Sequence, residues 1–178
     1  MNLFQNQPTE RIAEVAKKIK NVKLVIDIQG DEPLVDPQDI DKVIKFHKKN
    51  KQFDIVVPCM QARDNTKSKN LVKVVFSENG KILYFSRAQV PFNYKEKKIK
   101  YYRDLSIVSF LPSALKKYSK MKTGSVENIE GIELIRAIEN NLRLGTFIVV
   151  GSGFAVDVNQ DLMKAIDVMP KDKIRKLY

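Results

Sequence analysis

The sequence predicts an α/β fold in which helices flank a mainly parallel β-sheet. Short apolar runs suited to buried strands occur at Leu24 to Ile28, Asp54 to Cys59 and Leu105 to Leu111. Segments with apolar residues at helical spacing lie between these runs. Strands that are apolar on both faces and alternate with amphipathic helices are typical of a sheet that is covered on both sides.

The first half of the chain carries clear start signals for helices. Thr9 can cap a helix that extends to about Lys20, with its apolar residues on one face. The first strand follows. Asp36 is a suitable N-cap with Pro37 at the first helical position, which predicts a second helix up to about Asn50. His47, the only histidine, is interpreted as a helix-surface residue rather than a catalyst or ligand.

The second half begins with a predicted hairpin. Asn79-Gly80 lies between the apolar runs Leu71 to Phe76 and Ile82 to Phe85, and this dipeptide favours a tight turn. The lysine-rich stretch Asn93 to Lys100 is predicted to be a loop. The other predicted elements are helices at about Ser113 to Met121, Val126 to Asn141 with Ser125 as its cap, and Gln160 to Val168, and strands at Thr146 to Val150 and Phe154 to Val156.

Composition indicates one ordinary globular domain, because 178 residues with 43% hydrophobic content can bury a core. No apolar stretch approaches the roughly 20 residues needed to cross a bilayer, and the start lacks a signal-peptide pattern. We therefore expect a cytoplasmic protein with no membrane partner. The single cysteine, Cys59, excludes an intrachain disulfide and is expected to be a buried apolar residue.

The net charge of +11 raises the question of nucleic-acid binding. The lysines are dispersed over several elements and have no interleaved aromatic residues of the RNA-recognition kind. Solvated helix faces explain them, so no nucleic-acid partner is expected. Some attraction for anionic nucleotides would accompany such a charge.

The most informative motif is Gln29-Gly30-Asp31-Glu32-Pro33-Leu34, which follows the first apolar run directly. A strand that ends in acids delivers carboxylates to the carboxyl edge of a sheet, where open α/β sheets bind ligands. Gly30 would let the backbone approach a bulky ligand, while Pro33 would fix the turn behind Asp31. A carboxylate in that position can hold magnesium against phosphates. The alternative is an ordinary strand exit with solvated acids.

Several segments resemble the sugar-acid cytidylyltransferases, specifically the 3-deoxy-manno-octulosonate (Kdo) cytidylyltransferases. They are the motif above, Lys81 to Pro91 with its Tyr-Phe-Ser-Arg-Ala sequence, the Glu-rich stretch Glu127 to Arg136, Gly151 to Asp157 with its Val-Asp element, and Thr9 to Val15. These segments occur in the family's order over nearly the whole chain. The resemblance implies a Rossmann-like nucleotidyltransferase fold of the nucleotide-diphospho-sugar transferase type in a single domain, 1–178. Within it, a hairpin excursion at 72–110 would help to build a homodimer.

The resemblance also implies a reaction in which a Kdo-like sugar acid and CTP give a CMP-sugar and pyrophosphate. Asp31 and Asp157 would be the catalytic carboxylates that bind one or two magnesium ions, and we expect them to lie close together although they are far apart in sequence. The candidate substrate-binding residues are Gln29, Arg87, Asp104 and Glu133. A guanidinium suits a sugar-acid carboxylate, but Arg87 could equally be structural, and Glu130, Glu133 and Arg136 could form a surface ion-pair row.

The chain departs from the family at positions near the sugar. Where Kdo enzymes read Arg-His-Leu-Gly-Ile-Tyr-Gly-Tyr, the segment Arg103 to Phe110 replaces the His by Asp104 and the first Tyr by Val108. Leu134 replaces the Gln after the helix glutamate. The sugar acid could therefore differ, and an acylneuraminate-type cytidylyltransferase is an alternative. A noncatalytic dimerisation or sugar-binding fragment is a second alternative, and a basic nucleic-acid-binding module is a more distant one.

Family members begin with a strand and a Pro-Ala-Arg and Gly-Lys loop that grips the nucleotide triphosphate, and nothing similar occurs before Thr9. We therefore expect an N-terminally incomplete fold that does not catalyse cytidylyl transfer by itself. We also expect the strand at Leu24 to Ile28 to lack a neighbour and to present an unpaired edge.

Overall fold

A computed structural model describes residues 8–62, 66–151, 153–172 and 174–175. Within these ranges the helices are α1 (Pro8–Ala16), α2 (Pro37–Lys49), α3 (Pro112–Tyr118), α4 (Ser125–Glu130), α5 (Leu134–Glu139) and α6 (Asn159–Val168). The strands are β1 (Val25–Ile28), β2 (Ile55–Val56), β3 (Cys59–Ala62), β4 (Lys73–Phe76), β5 (Ile82–Ser86), β6 (Tyr101–Asp104), β7 (Ile107–Phe110) and β8 (Leu144–Gly145). No helix of the described part is long and apolar enough to cross a membrane.

The described strands form two four-stranded sheets, with the orders β1-β7-β2-β8 and β3-β6-β4-β5. In the first sheet β1 and β2 both pair antiparallel with β7, while β8 pairs parallel with β2. Three strands of this sheet therefore run in one direction, and β7 alone is reversed between them. The second sheet is antiparallel at each of its described pairings.

The α/β fold is confirmed, but the expectation of a mainly parallel sheet holds only for strand directions in the first sheet. The segment that carries β2 and β3 runs antiparallel to the segment that carries β6 and β7, and both segments pass from one sheet into the other. This pairing joins parts of the chain that are distant in sequence. Local apolar patterns contain no signal for its direction.

Strand β7 separates two hydrophobic cores, because all four of its residues are buried. Val108 and Phe110 belong to the larger core, which lies against α1, α3 and α5. Ile107 belongs to the smaller core, where it packs with Val43 of α2 and Val56 of β2. Helices thus cover both faces of the first sheet, as the apolar strands predict.

Two predicted helices have different bounds in the structure. The first regular helix ends at Ala16, four residues before the predicted end, because the next turn tightens into i to i−3 hydrogen bonds such as Lys18 N to Val15 O. The predicted helix 126–141 is divided into α4 and α5. Gly131, with a φ of 63°, ends α4 in the left-handed conformation, which glycine adopts without steric cost.

The predicted strands also need correction. Residues 54–59 form β2 and the start of β3 rather than one strand, and β6 has no counterpart in the predictions. The strand predicted at Thr146 to Val150 begins two residues earlier as β8, then continues beside β3 through bonds such as Cys59 N to Phe147 O. Phe154 to Val156 form no regular strand. Cys59 itself is buried, as expected.

The hairpin of β4 and β5 is confirmed, and Gly80 occupies its turn with a φ of 77°. A side chain at this position would also clash, because a Cβ atom would lie 2.8 Å from the carbonyl oxygen of Thr146. The lysine-rich residues 93–100 contain a turn but no helix or strand. The loop expected there is therefore confirmed.

Strand β1 has a single partner among the described residues, namely β7. Its other edge faces a cleft of about 760 Å³, which is lined by α1 and by β1 itself. Apolar side chains on this side, including Val15 and Ile19, are more than half exposed. The edge strand expected at Leu24 to Ile28 is thus present in the described structure.

His47 is a core residue, so its interpretation as a helix-surface residue was wrong. Its side chain is only 1% exposed and lies between α2 and the first sheet. Nε2 lies 3.1 Å from the carbonyl oxygen of Phe53 and must donate to it, so Nδ1 accepts from the Ser109 hydroxyl at 2.7 Å. These are the roles of the two nitrogens in the neutral ring, which burial favours. Burial lowers the pKa of His47 below its ordinary value of 6.5, although the bond to Phe53 opposes this shift.

This lowered pKa predicts a loss of stability in acid. Below about pH 6.5 the unfolded chain binds a proton at His47 that the folded chain does not, so the free energy of unfolding decreases as the pH falls. In His47→Gln this position does not titrate. Urea unfolding should show that the free energy of unfolding of the wild type, relative to that of the variant, is smaller at about pH 5.5 than at about pH 7.5. An equal difference at both pH values would contradict the buried neutral histidine.

Candidate active site

Asp31 and Asp157 lie on adjacent segments at the carboxyl end of β1. The amide of Val156 donates a 2.8 Å hydrogen bond to the backbone carbonyl of Asp31, which brings the next residue, Asp157, beside the turn after β1. The Asp161 carboxylate accepts hydrogen bonds from the amides of Asp157 and Val158, each at 3.1 Å. This contact holds Asp157 at the start of α6. The structure thus brings together the two segments that carry Asp31 and Asp157.

The acids of the site lie within electrostatic range of one another. Burial, followed by repulsion from Asp31 and Asp161, raises the pKa of Asp157. Burial, followed by repulsion from Glu133 and Asp31, raises the pKa of Asp27. Asp27 is a buried β1 residue that sequence reasoning missed, because an acid within an apolar strand carries no motif of its own. The carboxyl end of β1 is therefore a concentration of negative charge that favours a cation.

Glu32, the other acid of the motif, has a structural partner that was not predicted. It is 4% exposed and its Oε1 accepts from Nη1 of Arg103 at 2.9 Å and from the Ser106 hydroxyl at 3.2 Å. Its Oε2 is buried and has no hydrogen-bond donor among the described residues. Glu32 and Arg103 both lie in segments that the resemblance singles out, but their pairing spans 71 positions and has no local signal.

Asp104 follows Arg103 at the end of β6, at the rim of this charged region. Burial raises its pKa to about 7; repulsion from Glu32 adds to the increase, while Arg103 and Arg87 oppose it. Asp104 stands where the resemblance places a histidine. A carboxyl group with a pKa near 7 can donate or accept a hydrogen bond at neutral pH, as an imidazole can.

Gln29 and Gly30 form the open part of the site. The Gln29 amide donates to the Ser106 carbonyl at 3.0 Å, and its side chain is exposed. A Cβ atom at Gly30 would meet nothing within 4 Å, so free space adjoins the backbone here. Both residues line the end of the cleft beside β1, together with Asp27 and Asp31. The space expected around Gly30 for a bulky ligand is therefore present.

Arg87 is held by backbone carbonyls. Its three guanidinium nitrogens donate to the carbonyls of Glu130 at 2.8 Å, Lys69 at 2.9 Å and Gly131 at 3.2 Å. The carbonyl of Arg87 accepts from the buried ammonium of Lys73 at 2.6 Å, another contact that the sequence did not reveal. These bonds support the structural alternative for Arg87. A role in binding a carboxylate would have to use the N–H groups that remain on its two terminal nitrogens.

Glu130, Glu133 and Arg136 do not form a surface ion-pair row. Arg136 pairs with the buried Glu127 at 2.6 Å and with Glu10 of α1, whose side chain is 30% exposed, at 3.2 Å. Glu130 accepts from the Ser86 hydroxyl at 2.7 Å. Glu133 accepts from the Thr9 hydroxyl at 2.7 Å and is close enough to Asp27 to affect its pKa. Of Glu130 and Glu133, only Glu133 therefore lies near the charged end of β1.

Two of the three departures near the expected sugar pocket lie in the hydrophobic core. Val108 and Leu134 are buried members of the larger core. Only Asp104 adjoins the charged region. The apolar side chains of Val108 and Leu134 therefore suit their positions in the core. The site differs in polarity from the family pattern chiefly at Asp104.

The donor set suits a hard cation that also binds a phosphate. No group of three or more His, Cys, Asp or Glu side chains in the described ranges could hold a metal by itself. Asp31 and Asp157 offer carboxylate oxygens from two adjacent segments. Magnesium is commonly bound in this way, through one or two carboxylates, with substrate phosphates and water as the other ligands.

The raised pKa of Asp104 predicts a pH dependence opposite to that of His47. The folded chain holds this proton up to about pH 7 whereas the unfolded chain releases it near pH 3.8, so the contribution of Asp104 to stability decreases as the pH rises between these values. Asp104→Asn removes the titration. The melting temperature of this variant relative to the wild type should therefore increase from about pH 5 to about pH 8. Asp41→Asn, on the exposed side of α2, is the control; parallel pH curves for Asp104→Asn and the wild type would refute the shift.

Comparisons with known proteins show the family of this chain. The profile of the cytidylyltransferase family matches residues 5–144. The 3-deoxy-manno-octulosonate cytidylyltransferase of Rickettsia canadensis is 34% identical over 162 residues, covering 89% of this chain and 64% of the relative. That of Fusobacterium nucleatum is 31% identical over 169 residues, covering 94% of this chain and 69% of the relative.

A solved structure of CMP:2-keto-3-deoxy-manno-octonic acid synthetase complexed with CTP has a TM-score of 0.87 to this chain at 25% identity. The match covers 94% of this chain and 70% of that structure. The chain thus spans 64% of the length of the Rickettsia relative and 70% of the solved structure. From the family match and these identities, the chain belongs to the cytidylyltransferase family.

Proposed function

We propose that this chain is a cytidylyltransferase that activates a Kdo-like sugar acid with CTP, giving a CMP-sugar and pyrophosphate. The observation that carries this proposal is the meeting of Asp31 and Asp157 at the carboxyl end of β1. Ligands bind at this end of the strands in open α/β sheets. Family membership makes nucleotidyl transfer the reaction to be expected of such a site.

In the proposed reaction the anomeric hydroxyl of the sugar acid attacks the α-phosphorus of CTP. Magnesium, held by Asp31 and Asp157, would neutralise the triphosphate and lower the pKa of the attacking hydroxyl. The protein itself has mainly to position anions, because the side chains take little part in bond making. The backbone bond between Val156 and Asp31 and the Asp161 cap hold the two carboxylates in place before substrates bind.

The sugar acid would lie against the groups that surround the carboxylates. Gln29 offers an exposed amide beside Asp31. Asp104 and Glu133 are acceptors for sugar hydroxyls, and Arg87 is the cation for the sugar carboxylate, through its remaining N–H groups. The positive guanidinium opposes the rise in the pKa of both Asp104 and Asp157, which burial causes, so it lies within electrostatic range of each.

Other proposals concern assembly and location. We propose a homodimer through the 72–110 excursion, a cytoplasmic location, and no nucleic-acid or membrane partner. Val74 and Phe85 of the excursion are used in the chain's own core. Leu83, Phe92 and Tyr94 are exposed, with Phe92 at 83%, and they are the apolar groups that a second copy would cover.

The catalytic proposal is tested by substituting the metal carboxylates. Asp31→Asn and Asp157→Asn should each reduce pyrophosphate release from CTP and Kdo by at least about a hundredfold, because each removes a charge that holds the cation. Asp167→Asn, on the exposed side of α6, should retain wild-type turnover. The assay uses the 178-residue chain and, in parallel, the same chain preceded by the first nucleotide-binding segment of the Rickettsia canadensis relative.

Assays with different sugar acids distinguish the proposed function from the acylneuraminate-type and noncatalytic alternatives. Turnover with N-acetylneuraminate but not with Kdo would establish the acylneuraminate-type reading. Binding of either sugar acid by calorimetry, without pyrophosphate release in both preparations, would support the noncatalytic reading. If neither preparation bound or turned over any substrate, the proposed function would be wrong.

The dimer proposal predicts that Phe92→Glu lowers the mass of the particle in solution. Light scattering well above micromolar concentration should give twice the chain mass for the wild type and a shift towards one chain for the variant, because a charge would be buried in the interface. Ile129→Glu is a matched control, since Ile129 is also 83% exposed but lies on α4. A wild type that is monomeric at these concentrations would contradict the proposal.

A further inference from the structure

We infer that Arg103 is a positioning residue that ties together the two segments carrying Asp31 and Asp157. The significance of this link for metal binding rests on the proposed function, whereas the link itself rests on hydrogen bonds of the described structure. Arg103 contacts neither carboxylate directly. It acts through Glu32, which follows Asp31, and through Gly153, which begins the segment that leads to Asp157.

The arginine reaches three segments with one planar group. Nη1 donates to Glu32 Oε1 at 2.9 Å and to the carbonyl of Asp104 at 2.8 Å. Nη2 donates to the carbonyl of Gly153. Glu32 is the residue after Asp31, and Gly153 opens the segment that leads to Asp157. One side chain therefore fixes the turn after β1 and the 153–157 segment on the end of β6.

The same two segments meet a second time through the backbone bond from Val156 to Asp31. This bond joins Asp31 itself to the residue before Asp157, so it reports how well the two segments are held. Without Arg103, the 153–157 segment would keep this bond and would lose its anchor at Gly153. Opening of the segment would then move Asp157 away from Asp31.

The burial of the pair makes the link specific for arginine. The Arg103 and Glu32 side chains are 11% and 1% exposed, so water cannot replace the lost partners readily. A guanidinium presents its N–H groups in a fixed fork, so it can bind Glu32 and Gly153 at once. A lysine ammonium in this position could satisfy Glu32 but could not hold the same fork. Arg103→Lys thus preserves the charge and removes the bridge.

The experiment compares the wild type with Arg103→Lys, Arg103→Met, Asp31→Asn and Arg143→Met. Two quantities are measured, namely the amide exchange rate of Val156 by NMR and the affinity for Mn²⁺ from the loss of the free-ion EPR signal. Asp31→Asn keeps the backbone carbonyl that Val156 contacts, so it separates the metal from the link. Arg143 pairs with Asp54 at an exposed site and serves as the control arginine. Thermal unfolding identifies any variant that does not fold, and Arg103→Lys is the variant expected to fold.

We expect Val156 to exchange at least about tenfold faster in Arg103→Lys, because a charged bridge between the segments is lost. Mn²⁺ affinity should fall about tenfold or more, as for other residues that orient metal ligands. Asp31→Asn should lose Mn²⁺ affinity with unchanged Val156 exchange, and Arg143→Met should change neither. Unchanged Val156 exchange or unchanged Mn²⁺ affinity in both Arg103 variants would overturn the inference. If the wild type bound no Mn²⁺, the proposed metal site would be wrong, and the exchange rates alone would decide whether Arg103 links the segments.

Discussion

The burial of β7 on both faces is the constraint on which the rest of the structure depends. Its side chains alternate between two cores, so α2 must pack on one side while α1, α3 and α5 pack on the other. Because β1 and β2 flank β7, their carboxyl ends emerge at the same edge of the sheet. The turn with Asp31 is therefore placed by the hydrophobic effect, whereas its chemistry depends on polar groups outside the core.

Buried charges connect the site to this apolar framework. Arg103, Lys73 and Arg136 are each buried and join separate segments, through Glu32, the carbonyl of Arg87 and Glu127 respectively. Loss of one partner from such a pair costs about 3 to 5 kcal/mol, because the remaining charge stays buried. Apolar packing alone would specify the conformation of irregular loops less well than these directional contacts do. These cations fix the loops after β1 and β5 in one arrangement.

The sequence predicted the elements whose signals are local. Asp36 and Pro37 mark the start of α2, and the Asp36 side chain does accept from the Gln38 amide at 2.8 Å. Asn79-Gly80 likewise marks the hairpin turn. Signals that depend on distant partners were not recoverable: His47 follows Val43 at helical spacing, but only the structure shows that Ser109 and Phe53 satisfy its ring in the core.

The candidate site shows the same division. Asp31 and Asp157 could be chosen from two short motifs, and their meeting could be expected from the resemblance. The pairing of Glu32 with Arg103 could not be predicted, because the sequence does not distinguish a buried acid from a solvated one. Arg87 was a candidate both for substrate binding and for a structural role, and the carbonyls of Glu130 and Gly131 that hold it come together only where α4 ends.

The edge of β1 that has no partner among the described residues also affects how the chain behaves in solution. Unpaired backbone groups on an edge strand can template pairing with another copy, and the apolar cleft beside this edge adds to the attraction. A net charge of +11 opposes such encounters by repulsion between copies. That repulsion extends about 30 Å at 0.01 M ionic strength and only about 8 Å at physiological ionic strength. Colloidal stability of the chain is therefore greatest in dilute salt, and concentrated salt promotes edge-to-edge aggregation.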